Sequence, residues 1–315
     1  MDHATSLSFA EKTQWLSITA CPYCDSKAIA SEAKLAARFY NFGNSRIPVP
    51  IGTGLVQCGE CSLVYKTIIP GKGLLSKLTA ATQASLWASN YDHAAEIEKI
   101  RSEVRGEFSV IDIGAAGGEF LNAMAPYAQR RSALDILHFE RLNVSANGEF
   151  ITGFLDSPNL IWSEYPYDVV TAFDIFEHLY DPKSALKNIA KLVKPGGLVV
   201  IETGDASAVR RTQNWYYMTL FEHHICWSPR SIARAAEDYG FEIISIENKY
   251  HKGLLTVPKA TGRLKRLAYE LSPRGYHFLQ ALGGFDGSTP LSPGLEDHLR
   301  VILKKSDPSR RRPPK

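Results

Sequence analysis

Four of the five cysteines have a spacing that can bind a metal ion. They occur as two C-x-x-C pairs, Cys21 with Cys24 in CPYC and Cys58 with Cys61 in CGEC. The two-residue gap lets both thiolates of a pair reach one ion, and four thiolates fill the tetrahedral coordination sphere of Zn²⁺. The pattern therefore predicts a structural zinc ion. Four unrelated buried thiols or a redox pair are the alternative interpretations.

A second candidate site is a turn of small residues that follows an apolar run. The run FSVIDI at 108–113 is succeeded by GAAGG at 114–118, whose bare backbone would let a ligand approach. In open α/β sheets, ligands bind at the carboxyl ends of the strands. The spacing differs from the dinucleotide-binding G-x-G-x-x-G, and a tight turn without a ligand would use the same residues.

Acidic residues recur at the ends of the apolar runs. Asp135 lies 23 residues after Asp112 (135 minus 112), close to the about 20-residue distance at which a ribose-binding acid is expected. Asp156 closes the run ITGFL, and Asp174 closes DVVTAF. Each one alone is typical of a solvated loop acid, but together they place carboxylates along one rim of the predicted sheet.

The elements that would position these residues follow from the apolar pattern. Short apolar runs alternate with helix-like segments, which predicts a parallel sheet flanked by helices. The runs are FSVIDI (108–113), DVVTAF (168–173), LVVIE (198–202) and FEIISIE (241–247). One helix is expected to begin after Asp181 and to end before the Pro-Gly-Gly at 195–197, and a second to begin at Pro229 and to end at Gly240.

The same pattern divides the chain into four consecutive parts. Residues 1–70 carry the cysteine pairs, 71–106 are a helical connector, 107–250 hold the predicted sheet, and 251–315 form a helical segment with a basic tail.

Composition narrows the class of protein. The chain has 315 residues, a length typical of about two domains. Its residues are 44% apolar and 22% charged, which excludes a chain that is disordered throughout. No run approaches 18 apolar residues, so no transmembrane helix or membrane partner is expected. The N-terminal segment lacks the basic and apolar regions of a signal peptide, so the prediction is a cytoplasmic protein. A net charge of +3 does not call for nucleic acid as a partner.

Two segments carry a resemblance to a known family. The acid and glycines of DIGAAGG at 112–118 match its first motif, with Ala116 at the middle glycine, and residues 173–205 are similar to its fourth strand, following helix and fifth strand. Residues 108–247 thus resemble a class I S-adenosylmethionine-dependent methyltransferase of the small-molecule branch.

This resemblance implies a fold and a cofactor site. The expected fold is an α/β, Rossmann-like seven-stranded methyltransferase sheet with a small N-terminal zinc-binding domain. Asp135 would bind the ribose hydroxyls, Asp156 would lie near the adenine amine, and Gly114–Gly118 would lie under the methionine part. The residues expected to bind S-adenosylmethionine are Asp112, Gly114, Ala116, Gly117, Gly118, Asp135, Asp156 and Asp174.

The acceptor side is expected in two other segments. The cysteine pairs together with Glu222, His223 and His224 resemble the zinc-binding sugar C-methyltransferases, although Leu220 stands where their tyrosine would be. A general base for methyl transfer is expected among His178, Glu222, His223 and His224, because histidine titrates near neutrality. His178 could instead cap its loop, and only one of the two adjacent histidines is expected to point inward.

The first functional hypothesis is a zinc-containing methyltransferase that acts on a polar, sugar-like small molecule at oxygen or carbon. One alternative is a ribosomal RNA methyltransferase with an N-terminal zinc module, which the near-neutral charge disfavours. The other is a non-catalytic binding module with a methyltransferase fold. The sequence indicates no particular oligomeric state.

Overall fold

The chain forms two compact units, each made of segments that are distant in sequence. The computed structural model describes residues 14–35, 37–42, 45–81, 93–137, 144–158, 160, 166–208, 212–249, 267, 271–272 and 296–307. The cysteine unit comprises Met1–Gln83, Gly204–Ser231 and Asn248–Leu299. The sheet unit comprises Ala84–Thr203, Ile232–Glu247 and Arg300–Lys315. This interleaving differs from the four consecutive parts expected from the sequence.

The cysteine unit is built from short antiparallel strands and one helix. Its elements are β1 (Trp15–Ser17), β2 (Ile29–Lys34), β3 (Phe39–Phe42), β4 (Ser45–Pro48), β5 (Gly54–Cys58), β6 (Val64–Lys66), β7 (Ile68–Pro70), helix α1 (Lys72–Ala81) and β13 (Ile225–Cys226). β13, β6, β5 and β2 form one sheet in that order, while β1 pairs with β7 and β3 pairs with β4. The first of these sheets joins the cysteine pairs to a strand from the segment 204–231.

A mixed seven-stranded sheet is the centre of the sheet unit. Its strands are β8 (Phe108–Ile113), β9 (Ala128–Asp135), β10 (Phe150–Thr152), β11 (Tyr167–Phe173), β12 (Val193–Gly204), β14 (Phe241–Lys249) and β15 (His298–Lys305). The order across the sheet is β10-β9-β8-β11-β12-β15-β14. The neighbours from β10 to β12 are parallel. All six residues of β8 are buried, as expected for a strand covered on both faces.

Four further helices are described, with boundaries that the sequence explains. They are α2 (Ala94–Glu103), α3 (Glu119–Ala123), α4 (Pro182–Leu192) and α5 (Pro229–Asp238). The Asp181 carboxylate accepts hydrogen bonds of 3.1 Å from the backbone N–H groups of Lys183 and Ser184 and so caps α4, as predicted. α5 ends two residues before Gly240, which has a φ of 73°. None of the helices among the described residues has the length and apolar character needed to cross a membrane.

The C-terminal part differs from the expectation. Residues 298–305 form β15 inside the large sheet, where a helical segment was predicted. The run HLRVILKK is apolar at Leu299 and at 301–303 and basic at Arg300, Lys304 and Lys305, and its buried positions pack into the core of the sheet unit through Ile302. Most of 251–295 and the end of the basic tail lie outside the described residues.

Candidate functional site

The turn after β8 has a backbone shape that few residue types adopt. Gly114 (φ 74°), Ala116 (φ 44°) and Gly118 (φ 80°) all have positive φ. A Cβ on Gly114 would run into the side chain of Ile175, so this position requires glycine. Ala116 is not a glycine, and a left-handed alanine is the kind of strained residue that occurs at functional sites. The predicted small-residue turn is therefore present, and it leads into α3.

The carboxylate of Asp135 lies against this turn. Asp135 is the last residue of β9, it is 8% exposed, and its Oδ2 accepts a hydrogen bond of 2.9 Å from the Ala116 N–H. Its Oδ1 accepts one of 3.0 Å from the Leu137 N–H. Burial raises the pKa of Asp135, and the backbone N–H groups partly offset this effect. A carboxylate has about four lone-pair sites, so Asp135 keeps acceptor capacity beyond these backbone contacts.

Asp112 lies one residue before the end of β8 and does not reach the surface. It is 3% exposed, and the Thr171 hydroxyl donates a hydrogen bond of 2.6 Å to its Oδ1. Burial is the main cause that raises the pKa of Asp112 to about 7. The structure places Asp112 beneath the turn as a buried, hydroxyl-bonded carboxyl group.

The two remaining acids have backbone contacts of their own. Asp156 is buried, and its Oδ2 accepts hydrogen bonds of 2.9 Å from the N–H groups of Tyr180 and Asp181, at the start of α4. Asp174 follows β11 with a φ of 54°, and its N–H donates to the Glu202 carbonyl at 2.9 Å. Asp156 therefore organises the backbone before α4, and its adenine contact stays a prediction.

His178 lies in a short 3₁₀ turn (Phe176–His178) of the sheet unit. It is half-buried, and its N–H donates to the Ile175 carbonyl at 3.0 Å. The preceding residue, Glu177, is fully buried and accepts a hydrogen bond of 2.9 Å from the Thr203 hydroxyl. Sequence reasoning did not single out Glu177, because its burial depends on a strand 26 residues away.

The other base candidates belong to the cysteine unit. Glu222 is half-buried, His223 is 5% exposed and His224 is 1% exposed. Both histidine side chains are therefore buried, whereas only one was expected to point inward. The turn at this point is closed by the His223 N–H, which donates to the Leu220 carbonyl at 3.3 Å.

A series of aromatic and acidic contacts leads from His223 to a distant segment of the chain. The ring of Tyr217 meets that of His223 edge-on at 4.1 Å and stacks on Trp215 at 4.5 Å between centroids. The Trp215 Nε1–H donates to Asp297, which in turn lies 2.9 Å from Nδ1 of His298. Asp297 and His298 come from a segment about 80 residues downstream, so no local pattern could have indicated them.

The four cysteines come together in the cysteine unit. Their sulfur atoms all lie within 4.8 Å of one another, and the pairs Cys21–Cys61 and Cys24–Cys58 are each 3.5 Å apart. Tetrahedral zinc with bonds of about 2.3 Å would separate its sulfur ligands by about 3.8 Å. All four are free thiols, so the donor set fits the ion.

The two cysteine knuckles have the same backbone construction. In each, the residue after the second cysteine has positive φ, 57° at Asp25 and 66° at Ser62. Its N–H donates to the carbonyl of the first cysteine, at 2.9 Å in one knuckle and 3.1 Å in the other. The hydrogen bond between the Cys21 and Cys61 thiols lowers the pKa of Cys21 and raises that of Cys61.

Comparison with known sequences decides the family. Residues 80–246, just over half of the chain, match the sequence profile of a family described as a methyltransferase domain. The chain belongs to this methyltransferase family. Its domain is of the class I, S-adenosylmethionine-dependent kind, and the predicted seven-stranded Rossmann-like sheet is confirmed.

Curated relatives of the methyltransferase domain share a name. The ubiquinone biosynthesis O-methyltransferase of Proteus mirabilis (strain HI4320) is 34% identical over 122 residues, which are 37% of this chain and 48% of that protein. The protein of the same name from Rickettsia conorii (strain Malish 7) is 25% identical over 181 residues, 52% of this chain and 59% of that protein. The chain therefore spans about half the length of the curated relatives it matches.

Solved structures give a distant likeness to the methyltransferase fold. An N-methyltransferase of Bradyrhizobium japonicum WM9 in complex with S-adenosyl-L-homocysteine has a TM-score of 0.44 at 13% identity, covering 68% of this chain and 85% of that one. An S-adenosylmethionine-dependent methyltransferase of Mesorhizobium loti has a TM-score of 0.42 at 16% identity, covering 67% and 98%. The family assignment rests on the profile match.

Proposed function

We propose that this protein transfers the methyl group of S-adenosylmethionine to a polar small molecule that carries hydroxyl groups and resembles a sugar. The observation that carries the proposal is the contact between the Asp135 carboxylate and the N–H of Ala116 in the strained turn after β8. It joins an acid at the end of one parallel strand to a bare backbone at the end of the next, where α/β sheets bind ligands.

The residues of the sheet unit fit the cofactor chemically. Asp135 keeps acceptor capacity beyond its backbone contacts, and the vicinal hydroxyl groups of a ribose are donors that suit a carboxylate. Gly114, Gly117 and Gly118 present backbone without side chains, so the methionine part could approach the turn closely. We assign cofactor binding to these residues together with Ala116 and Asp174, adenine contact to Asp156, and support of the turn from beneath to the buried Asp112.

The cofactor supplies a methyl group that its sulfonium sulfur already activates. In the reaction one sulfur–carbon bond breaks, one bond between the acceptor atom and the methyl carbon forms, and the acceptor loses a proton. The chain therefore has to align the acceptor and receive that proton. Candidates for the base are His178 in the sheet unit and Glu222, His223 and His224 in the cysteine unit.

Oxygen is the acceptor atom that we favour. The curated relatives are named as O-methyltransferases, and a hydroxyl proton is one that a histidine of ordinary basicity can accept. The sugar-like character rests on the resemblance of the cysteine pairs and of Glu222, His223 and His224 to the sugar C-methyltransferases. Zinc, held by Cys21, Cys24, Cys58 and Cys61, would be structural in this arrangement because four thiolates leave no open position.

Calorimetry with S-adenosylmethionine and S-adenosylhomocysteine tests the cofactor assignment. Asp135→Ala should weaken the binding of both by about 2–4 kcal/mol, roughly 30-fold to 1000-fold, because two hydrogen bonds to a charged group are lost. Asp168→Asn is the matched control. Asp168 lies near the start of β11, at the edge of the sheet opposite to the glycine turn, and bonds to Lys194 and Ser109. Equal affinity of Asp135→Ala and the wild type would remove Asp135 from the site.

Turnover separates an enzyme from a binding module. Formation of S-adenosylhomocysteine should be stimulated by at least one member of a panel of nucleoside-diphosphate sugars and substituted catechols. On that acceptor, glutamine variants of His178, His223 and His224 identify the base, whose loss should lower kcat about 10²-fold to 10⁴-fold. Cofactor binding without turnover on any acceptor would favour the non-catalytic alternative.

A further inference from the structure

Lys66, on β6 of the cysteine unit, is a lysine with no exposure to solvent. Its side chain is 0% exposed, whereas lysines are almost never fully buried unless they are paired. Burying an ammonium group costs free energy that the fold has to offset. A position that keeps this group inside therefore needs an explanation from its contacts.

The ammonium group contacts the segment that carries the base candidates of the cysteine unit. Its Nζ donates a hydrogen bond of 2.7 Å to the carbonyl of Leu220 and lies 4.2 Å from the centre of the Tyr40 ring. Burial lowers the pKa of Lys66 to about 7, and the negative charge of Glu222 raises it. Leu220 begins the turn that places His223 and His224, and Glu222 lies within that turn.

The backbone of Lys66 holds the other end of the same segment. Its N–H donates to the carbonyl of His224 at 2.9 Å, and β6 continues as an antiparallel partner of β13 through Tyr65 and Ile225. β6 follows the Cys58–Cys61 knuckle after two residues. The strand β6 and the Lys66 side chain therefore hold residues 220–226 at both ends.

We propose that Lys66 is a positioning residue, through which the cysteine-bearing sheet fixes the segment 220–224 and thereby aims Glu222, His223 and His224. This inference rests on the proposed function, in which the segment faces the acceptor. Zinc bound at Cys58 and Cys61 would rigidify β6, the strand that presents the ammonium group to the turn.

The contacts separate this role from a contribution to overall stability. An unbranched apolar side chain such as methionine would fill the position of Lys66 without the cost of a buried charge, and the Leu220 carbonyl would keep the hydrogen bond from the His223 N–H. What methionine cannot supply is the hydrogen bond to Leu220 or the positive charge beside Glu222. The variant should therefore fold well while residues 220–224 lose their fixed placement.

Lys66→Met in the zinc-loaded protein tests the proposal, with Lys34→Met as the control. Lys34 is exposed on β2 of the same sheet, so its variant removes a charge without removing these contacts. Hydrogen exchange followed by mass spectrometry should show amides 220–224 exchanging roughly tenfold faster, or more, in Lys66→Met only. The ring NMR signals of His223 and His224 should shift in the same variant, and the thermal midpoint should stay the same or rise.

Three outcomes would overturn the proposal. The first is unchanged exchange at 220–224 in Lys66→Met. The second is faster exchange that extends equally to the two knuckles, which would show a purely structural role. The third is failure of both Lys66→Met and Lys66→Gln to fold. Calorimetry with S-adenosylhomocysteine is run in parallel: absence of binding in the wild type would refute the proposed function, and the exchange result would still stand.

Discussion

Asp112 is a carboxyl group that the sheet unit keeps away from water. Its exposure is 3%, and the Thr171 hydroxyl donates the 2.6 Å hydrogen bond that it accepts. Burial raises its pKa to about 7, against the lowering effect of Thr171, and the charges of Asp135 and Glu119 raise it further. The ionisation of Asp112 is therefore coupled to the carboxylate that we assign to the cofactor.

The raised pKa of Asp112 predicts how the stability of the protein responds to pH. Between the pKa of an unfolded aspartate, about 4, and the native value of about 7, the native state binds more protons than the unfolded state. Stability conferred by Asp112 must therefore fall as the pH rises through this range, by at most about 1.4 kcal/mol per pH unit. Asp112→Asn removes the titration, so the free energy of unfolding of the wild type relative to this variant should decrease from about pH 4.5 to about pH 7.5 in urea titrations.

Asp168 provides a control of opposite sign. Burial raises its pKa, but hydrogen bonds from Lys194 and Ser109 outweigh this and lower it. The stability that Asp168 confers should therefore be lost as the pH falls, and Asp168→Asn should show the reverse trend. A difference between wild type and Asp112→Asn that stays constant over the whole range would contradict the assignment of Asp112 as a buried acid.

At the scale of elements, one arginine of β15 forms ion pairs with neighbouring elements. Arg300 forms ion pairs with Glu96 on α2 and with Glu202 on β12, the latter at 3.2 Å, and approaches Glu247 on β14 at 3.8 Å. The Glu96 side chain is fully buried and that of Glu202 is 8% exposed. One guanidinium therefore compensates two buried carboxylates from elements about 100 and 200 residues earlier in the chain.

Removal of this arginine should be costly. Arg300→Met removes the guanidinium group that bonds to the two buried carboxylates, so the free energy of unfolding should fall by about 3–5 kcal/mol in a denaturant titration. The matched control is Arg234→Met on α5, whose ion pair with Asp238 is 3.6 Å long and solvent-exposed. That variant should change stability by less than about 0.5 kcal/mol. Similar losses in both variants would mean that the Arg300 cluster acts like a surface pair.

The same strand shows why some elements were predictable and others were not. β8 and β11 are continuous apolar runs, and their positions agree with the sequence prediction within one residue. α4 was predictable because its cap and its first-turn proline are local. β15 has basic residues at positions 300, 304 and 305, and two of them, Arg300 and Lys305, are accommodated by partners on α2, α4 and β12. These partners are about 100 to 200 residues away in the chain, so a local sequence pattern could not indicate them.

At the scale of the whole molecule, some residues of the candidate sites belong to local sequence patterns, and others are brought together only by the fold. The glycine turn, the acids that follow strands and the cysteine pairs are local patterns, and the sequence indicated all of them. Lys66 and Asp297 bond to residues 154 and 82 positions away in the chain, so only the folded chain brings them together with Leu220 and Trp215. The cysteine unit in particular is assembled from three separate segments, and both cysteine knuckles lie in the first of them.

Zinc should therefore decide whether the cysteine unit is ordered. Its described strands are mostly three to six residues long, and strands this short gain little from their own ladders, whereas a structural zinc contributes folding free energy directly. Native mass spectrometry should find one zinc per chain in the wild type and in Cys226→Ser, because Cys226 is buried outside the cluster. Cys61→Ser should retain little or no zinc, and the amides of 54–66 should lose their protection in hydrogen exchange. Isolation of a metal-free protein in which 54–66 stay protected would show that these four thiols are not a zinc centre.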